Sequence, residues 1–169
     1  MDSNFYTLTD KTKLNIDLIV DFLQNKSYWA RTRSKETIER SIENSFCFGL
    51  FDTENQQVGF ARVITDFAVF AWVLDVFILE VYRGKGFGRL LMQEVMSHPS
   101  LQGLRRWGLG TNDAHGLYQK FGFTSLSNPD IMMKKLISKK AFPLTTPIRQ
   151  LRHRIAGNNI AKSHSERLS

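Results

Sequence analysis

The chain reads as a single α/β domain (α+β in type, with a mixed sheet), its elements ordered β-α-α-β-β-β-α-β-α-β. Three features predict it. Leu14, Leu18, Ile19, Phe22 and Leu23 recur at helical spacing. Segments 46–51, 58–65 and 69–79 are rich in β-branched and aromatic residues, as strands are. A glycine-rich turn at 84–88 then leads into a second helical pattern at Phe87, Leu90, Leu91 and Val95.

Taken in order, residues 4–9 predict a short first strand and Thr12 to Asn25 a first helix. The linker Ser27-Tyr28-Trp29-Ala30-Arg31-Thr32-Arg33 follows. Ser34 then suits the N-cap of a second helix, with Glu36 in its first turn and Ile38 and Ile42 one turn apart. The strand from about Val69 to Leu79 is so continuously apolar that burial on both faces is expected. Beyond the helix that opens at the glycines, His98-Pro99-Ser100 is a stop, and Leu104 to Gly110 predicts another strand. Ala114, Leu117, Tyr118 and Phe121 form one face of a short helix ended by Gly122. Phe123 to Leu126 and Ile131 to Leu136 would supply the last strand.

Composition narrows the function classes. The 169 residues are 42% hydrophobic and 23% charged, enough for one domain with a substantial core. A single cysteine excludes a disulfide framework and a cysteine zinc cluster, and the four histidines show no ligand spacing, so no metal is expected. The N-terminal residues lack a basic and apolar leader. The longest apolar stretch, 67–79, is too short to span a bilayer and carries Asp75, so a cytoplasmic protein with no membrane partner is expected. The net charge of +7 is unevenly placed: residues 1–137 hold 16 Lys/Arg against 15 Asp/Glu, and residues 138–169 hold seven against one. The reading is a folded domain over 1–137 and a basic, mobile tail over 138–169. Nucleic acid is disfavoured as a partner, since only the tail is basic. Salt-dependent DNA or RNA binding lost on removing that tail would be the mark of the opposite case.

The most informative segment runs from Val76 to Leu91. A buried strand enters Arg83-Gly84-Lys85-Gly86-Phe87-Gly88-Arg89, where glycines allow close backbone approach and a helix start leaves N–H groups without partners. Three cationic side chains flank those amides, a combination suited to a diphosphate. No GK[ST] follows, which excludes a Walker A loop, and the register is unlike a dinucleotide fingerprint. Downstream stands Ala114-His115-Gly116-Leu117-Tyr118-Gln119-Lys120-Phe121-Gly122-Phe123.

The two motifs together, [RQ]-x-x-G-x-[GA] and A-x-x-L-Y-x-K-x-G-F, resemble those of the GNAT superfamily of acetyl-CoA-dependent N-acyltransferases over roughly residues 4–136. The resemblance implies that backbone amides of Gly84 to Arg89 hold the pyrophosphate of coenzyme A, making acetyl-CoA the cosubstrate. It implies that Val76, Phe77 and Ile78 bond the pantetheine arm and offer an N–H to the thioester oxygen. It places Tyr118 beside the sulfur as proton donor to the departing thiolate; packing on the apolar stripe of its helix is compatible with that role. Thr111 stands where many relatives carry a coenzyme-binding Asn, and Arg106 where some carry a glutamate base.

With no base assigned by motif, Asp75 is the first candidate from the residues themselves. The alternative is a carboxylate satisfied by a backbone N–H or an arginine. Asp66, Asp113 and His115 are weaker candidates that also suit turns and caps. Cys47, in an apolar strand, reads as core, which favours direct attack in a ternary complex over a covalent acyl-enzyme. In relatives the linker between the first two helices walls the acceptor cleft. Here Tyr28 and Trp29 could cage an ammonium, Arg31 or Arg33 could bind a carboxylate, and a loop anchor is the plainer reading. Trp72 and Trp107 suit sheet packing. The expected activity is acetyl transfer to a primary amine of a small molecule, in a chain free to dimerise. A non-catalytic coenzyme A-binding module and acetylation of protein N-termini or lysines stand as alternatives.

Overall fold

The computed structural model describes residues 5–135 of the chain. Of these, residues 5–125 form one compact unit, and residues 126–135 fall outside it. The 138–169 segment and its boundary at 137 lie outside the described residues.

A five-stranded sheet forms the frame, in the order β1 (Phe5–Leu8), β2 (Phe46–Asp52), β3 (Gln57–Thr65), β4 (Phe70–Ile78), β5 (Arg106–Gly108). The first four strands are antiparallel neighbours and β5 joins β4 in parallel. Four helices complete the unit: α1 (Ile16–Asp21), α2 (Lys35–Glu43), α3 (Phe87–Ser97) and α4 (His115–Gln119). The first predicted helix is divided. A 3-10 turn at Lys11–Lys13 precedes α1, and Asn15 caps α1 by accepting from the Leu18 N–H. The helix then widens into a π turn over Phe22–Lys26. Ser34 caps α2 as expected, accepting from Thr37 N–H.

Each face of the sheet buries its own cluster, because successive strand side chains point to opposite sides. Phe48, Leu50, Val63 and Val73 pack with Leu91, Met92 and Val95 of α3 and with Tyr118. Cys47, Phe51, Phe60 and Phe77 pack on the other side with Ile19 and Phe22 and with Ile38 and Ile42 of α2. The strands buried on both faces are β2 and β3, not β4. Along β4 burial alternates, with Phe70, Trp72, Leu74 and Val76 only partly covered, because one face of that strand lines a cleft.

Two irregularities create the cleft. Arg62 of β3 pairs with Leu74 and Phe60 with Phe77, so Asp75 and Val76 bulge opposite Ala61, and Asp75 takes a left-handed φ of 50°. Secondly, β5 is shorter than the predicted 104–110. It pairs only with Phe70, Ala71 and Trp72, which leaves the β4 edge from Val73 to Ile78 open on that side. Gly108 is required at the end of β5, where a Cβ would lie 2.5 Å from the Trp72 ring.

The predicted final strand is not found among the described residues. Neither 123–126 nor 131–135 joins the sheet, and between them the chain makes a 3-10 turn at Pro129–Ile131. Pro129 lacks a donor for a ladder, and Ser125, Ser127 and Asn128 break the apolar alternation a strand needs. Leu91 is fully buried where α3 crosses the sheet. Leu91→Ala is expected to cost about 2–5 kcal/mol of unfolding free energy in urea melts, through lost transfer energy and the cavity left behind.

Candidate active site

The open β4 edge, the linker after α1 and the loop before α4 enclose a cleft of about 870 Å³. Its lining includes Tyr28, Trp29, Arg33, Trp72, Asp75 to Ile78, Arg83, Gly88, Thr111, Asp113 and Tyr118.

At one end the chain leaves β4 and turns into α3. Gly84 (φ 74°) and Gly86 (φ 86°) are left-handed, and a Cβ at either would meet nothing within 4 Å. Glycine is needed there for its backbone conformation, not for room. Gly86 is the N-cap of α3, and its carbonyl accepts from the N–H groups of Arg89 and Leu90 at 3.0 Å each. Among the described residues no backbone carbonyl accepts from the turn amides of Gly84, Lys85 or Gly86, and those of Phe87 and Gly88 open the helix, where no intrahelical partner exists. These donors, with the helix dipole, fit a diphosphate. The flanking side chains are less available than the sequence suggests. Arg83 donates from Nε to the Ile78 carbonyl at 3.1 Å and lies 5.9 Å from the Phe22 ring centroid. Lys85 sits over Tyr82, and the Phe87 ring is buried 4.0 Å from Phe5. Phe77 is likewise core, its ring stacked on Phe22 at 3.9 Å, and it lines the cleft together with Val76 and Ile78.

Tyr118 stands on the cleft wall, buried to all but 9% of its surface. Its ring packs edge-on to Phe123 at 6.0 Å. No described protein group bonds its hydroxyl. Burial, followed by the proximity of Tyr28 and Asp113, pushes its phenol up to about 12. Thr111 lines the cleft, but its hydroxyl serves α4: it accepts from the Ala114 N–H at 3.1 Å and lies 3.4 Å from the Asp113 carboxylate. A coenzyme contact from Thr111 therefore competes with its capping bond.

Asp75 is the most constrained group in the site. Its side chain is 1% exposed. Oδ1 accepts from Trp29 Nε1 at 3.1 Å and Arg33 Nη1 at 2.9 Å. Oδ2 accepts from Arg33 Nη1 and Arg62 Nε, both at 2.9 Å, and from Arg62 Nη2 at 2.7 Å. A carboxylate has about four acceptor directions, and here five contacts occupy them. The expectation that Asp75 collects a proton meets this geometry badly; the alternative of a carboxylate held by arginine describes what is seen. Arg62 escaped the sequence reading. Its signal was a lone cation in the apolar run Phe60 to Ile64, matched by a lone anion in the next strand.

The other candidates separate cleanly. Asp66 accepts from the N–H groups of Ala68, Val69 and Phe70, which hold its carboxyl down at about 2 and make it the organiser of the β3–β4 turn. His115 is exposed and outside the cleft lining, as is Arg31, whose Nε donates to the Ser27 carbonyl. Cys47 is fully buried among apolar residues, which pushes its thiol up to about 11. Tyr28 and Trp29 meet edge to face at 4.9 Å on the cleft wall. Tyr28 also crosses to the opposite lip, where its hydroxyl accepts from the Asn112 N–H at 3.0 Å. Among the described residues no cluster of metal-ligating side chains occurs, and no helix is long and apolar enough to cross a membrane.

The chain is similar in sequence and fold to known proteins. A family model for the acetyltransferase (GNAT) domain matches residues 43–125, from the end of α2 through the Tyr118 helix. A Gibberella zeae protein assigned as an acetyltransferase is 30% identical over 138 residues, covering 69% of this chain and 77% of that one. The chain belongs to the GNAT acetyltransferase family. A solved GNAT-family structure from Xanthomonas campestris pv. campestris is 44% identical with a TM-score of 0.75, covering 79% of this chain and 93% of that one. Glucosamine-6-phosphate N-acetyltransferase from Arabidopsis thaliana shares the fold at 18% identity and a TM-score of 0.55, over 80% of this chain and 100% of its own. As a GNAT acetyltransferase the chain is an acyl-transferring enzyme.

Removing the Asp75 carboxylate strands the buried Arg62 guanidinium and releases that of Arg33 on the cleft wall. Asp75→Ala is expected to lower stability by about 3–5 kcal/mol, the range for breaking a buried ion pair by deleting one partner. Urea unfolding measures it, and a loss below 1 kcal/mol would contradict the clamp described here.

Proposed function

We propose that the enzyme transfers the acetyl group of acetyl-CoA to the primary amine of a small molecule, by direct attack within a ternary complex in a cytoplasmic setting. One observation supports this reading: an unpaired strand edge and a tyrosine hydroxyl with no described partner line one cleft, and Arg83 and Gly88, which flank the glycine turn, line the same cleft. Acetyl-CoA supplies the acyl thioester and leaves as the thiol. The N–H groups of Gly84 to Gly88 fit its pyrophosphate, and Arg89 adds an exposed cation beside them. The open edge of β4 at Val76 to Ile78 fits the amide groups of its pantetheine arm. An N–H on that edge stabilises charge developing on the thioester oxygen without reorganising.

Tyr118 holds a proton at Oη and donates it in a hydrogen bond to the departing sulfur. With its phenol raised to about 12, against about 8.5 for a thiol, it stays protonated at neutral pH; full transfer to sulfur is balanced by the proton that the amine nitrogen loses on becoming an amide, which restores the tyrosine. Asp75 positions Trp29 and Arg33 instead of accepting a proton. The amine is delivered in its neutral form, or loses its proton to water in the cleft. Tyr28 ties the linker to the Asn112 loop across the cleft mouth, which favours a small acceptor over a folded polypeptide.

Tyr118→Phe is expected to reduce kcat at least about 100-fold, the lower range for a positioned acid. Its affinity for coenzyme A by calorimetry is expected to stay within threefold. Unchanged kcat would remove Tyr118 from the chemistry, and an unmodified protein that binds coenzyme A yet releases no thiol with any amine would favour a sensing module. Because burial raises the phenol to about 12, kcat is expected to show no alkaline decline from this group below pH 10. A decline near pH 10 that vanishes in Tyr118→Phe would overturn the raised phenol value while keeping Tyr118 as the donor.

A further inference from the structure

The acceptor wall is one connected chain of contacts with opposite charges at its ends. Asp113 lies at the first end, where its Oδ1 is 3.5 Å from the Tyr28 hydroxyl. The Tyr28 ring meets the Trp29 ring edge to face, Trp29 Nε1 is bonded to Asp75, and Asp75 is bonded to Arg33. Asp113 and Tyr28 are also the groups that bear on Tyr118, so the Asp113 end is the end near the transferring acyl group. The Arg33 end lies further along the linker.

Arg33 is held but not used up. Nη1 alone reaches both Asp75 oxygens, at 2.9 Å each. Among the described residues Nε and Nη2 have no partner, although Arg33 lines the cleft and its side chain is 28% exposed. Charge bookkeeping points the same way. Asp75 is one anion between two permanent cations, Arg33 and Arg62, and the second is buried with its remaining Nη1 on Ser45 Oγ at 2.9 Å. The cluster therefore keeps one positive charge, and the only part of it facing open space belongs to Arg33. A planar guanidinium edge with two parallel N–H groups is shaped for a carboxylate, which it takes in a bidentate pair. At the other end, Asp75 and Asp113 are the two carboxylates among the described cleft-lining residues, and Asp75 is saturated. Asp113 keeps acceptor capacity for an ammonium group.

Resting on the acetyl-transfer reading, we propose that the acceptor is an amino acid whose reacting amine stands at the far end of a carbon chain from its carboxylate: the carboxylate on Nε and Nη2 of Arg33, the amine toward Asp113 and Tyr118, and the carbon chain along the Tyr28 and Trp29 rings. Asp75 is then a positioning residue that aims Arg33 and Trp29 from beneath. Recognition of this kind is discriminating, because an acceptor without the carboxylate leaves a desolvated cation edge unmatched.

The test is thiol release from acetyl-CoA with matched acceptors: such amino acids, their carboxamides and their decarboxylated amines, assayed with the full chain. Amino acids are expected to exceed both counterparts at least tenfold in kcat/KM. Equal or better turnover of carboxylate-free amines would overturn this proposal and leave the acetyl-transfer reading standing. Silence with every acceptor, with coenzyme A bound, would overturn both. Arg33→Lys supplies the second arm, since lysine can pair with Asp75 but lacks the fork. It is expected to cost at least tenfold in kcat/KM for an amino acid and less than threefold for the decarboxylated amine, with coenzyme affinity by calorimetry unchanged. An equal loss on both acceptors would assign Arg33 to structure alone.

Discussion

The carboxylate of Asp75 is the constraint on which the site depends. It sits at a bulge in β4 with a left-handed backbone, a conformation that costs an ordinary residue about 1–2 kcal/mol. Arg62 grips it from the neighbouring strand, and it grips Arg33 and Trp29 on the linker after α1. The bulge and the early end of β5 leave β4 with an unpaired edge, and the grip on the linker brings the acceptor wall against that edge. Replacing buried ion clusters by apolar residues of similar volume is often neutral or stabilising, so this triad is weak evidence of stability. What the ions provide is geometry, since two guanidiniums and an indole N–H each need a fixed direction to reach one carboxylate.

The two halves of the cleft are built by different means. On the coenzyme side the ligand-facing groups are backbone amides, and the side chains around them are largely engaged elsewhere. Phe87 and Phe77 lie in the core, and Arg83 lies against Phe22 and the Ile78 carbonyl. Such a site needs only left-handed glycines and a helix start. On the acceptor side the wall is made of side chains on a linker, and its chemistry changes with each residue. That division follows from what is recognised: a diphosphate is matched by any well-placed set of N–H donors, whereas an acceptor must be told apart from other small amines.

Tyr118 shows how packing and chemistry share one residue. The helical stripe Ala114, Leu117, Tyr118, Phe121 presses its ring into the core. The same burial, with Asp113 and Tyr28 nearby, makes its phenol hold its proton more firmly. Such a group remains a hydrogen-bond donor to a leaving thiolate at neutral pH, and the same shift makes it a weaker acid. Loss of one apolar neighbour would let water reach the ring and weaken that preference.

Much of the frame was legible in the residues. Strand and helix periods located β1 to β4, α2 and α3, because local pattern follows directly from which face must be buried. The turn into α3 was legible for a similar reason, since glycines before an amphipathic run specify backbone with no reference to the rest of the chain. The division of the first helix into α and π turns, the shortness of β5 and the missing last strand were not, since each is settled by what packs or pairs at the end of the element. Asp75 marks the boundary most clearly. Its lone charge in an apolar strand announced a special position, but whether it would be an open base or a saturated clamp depended on Arg62, 13 residues earlier, and on Arg33, 42 residues earlier. Sequence spacing encodes helix faces and strand alternation because those repeat along the chain. Partnership between distant charges exists only once the sheet has been assembled, and there the tertiary structure alone assigned each residue its role.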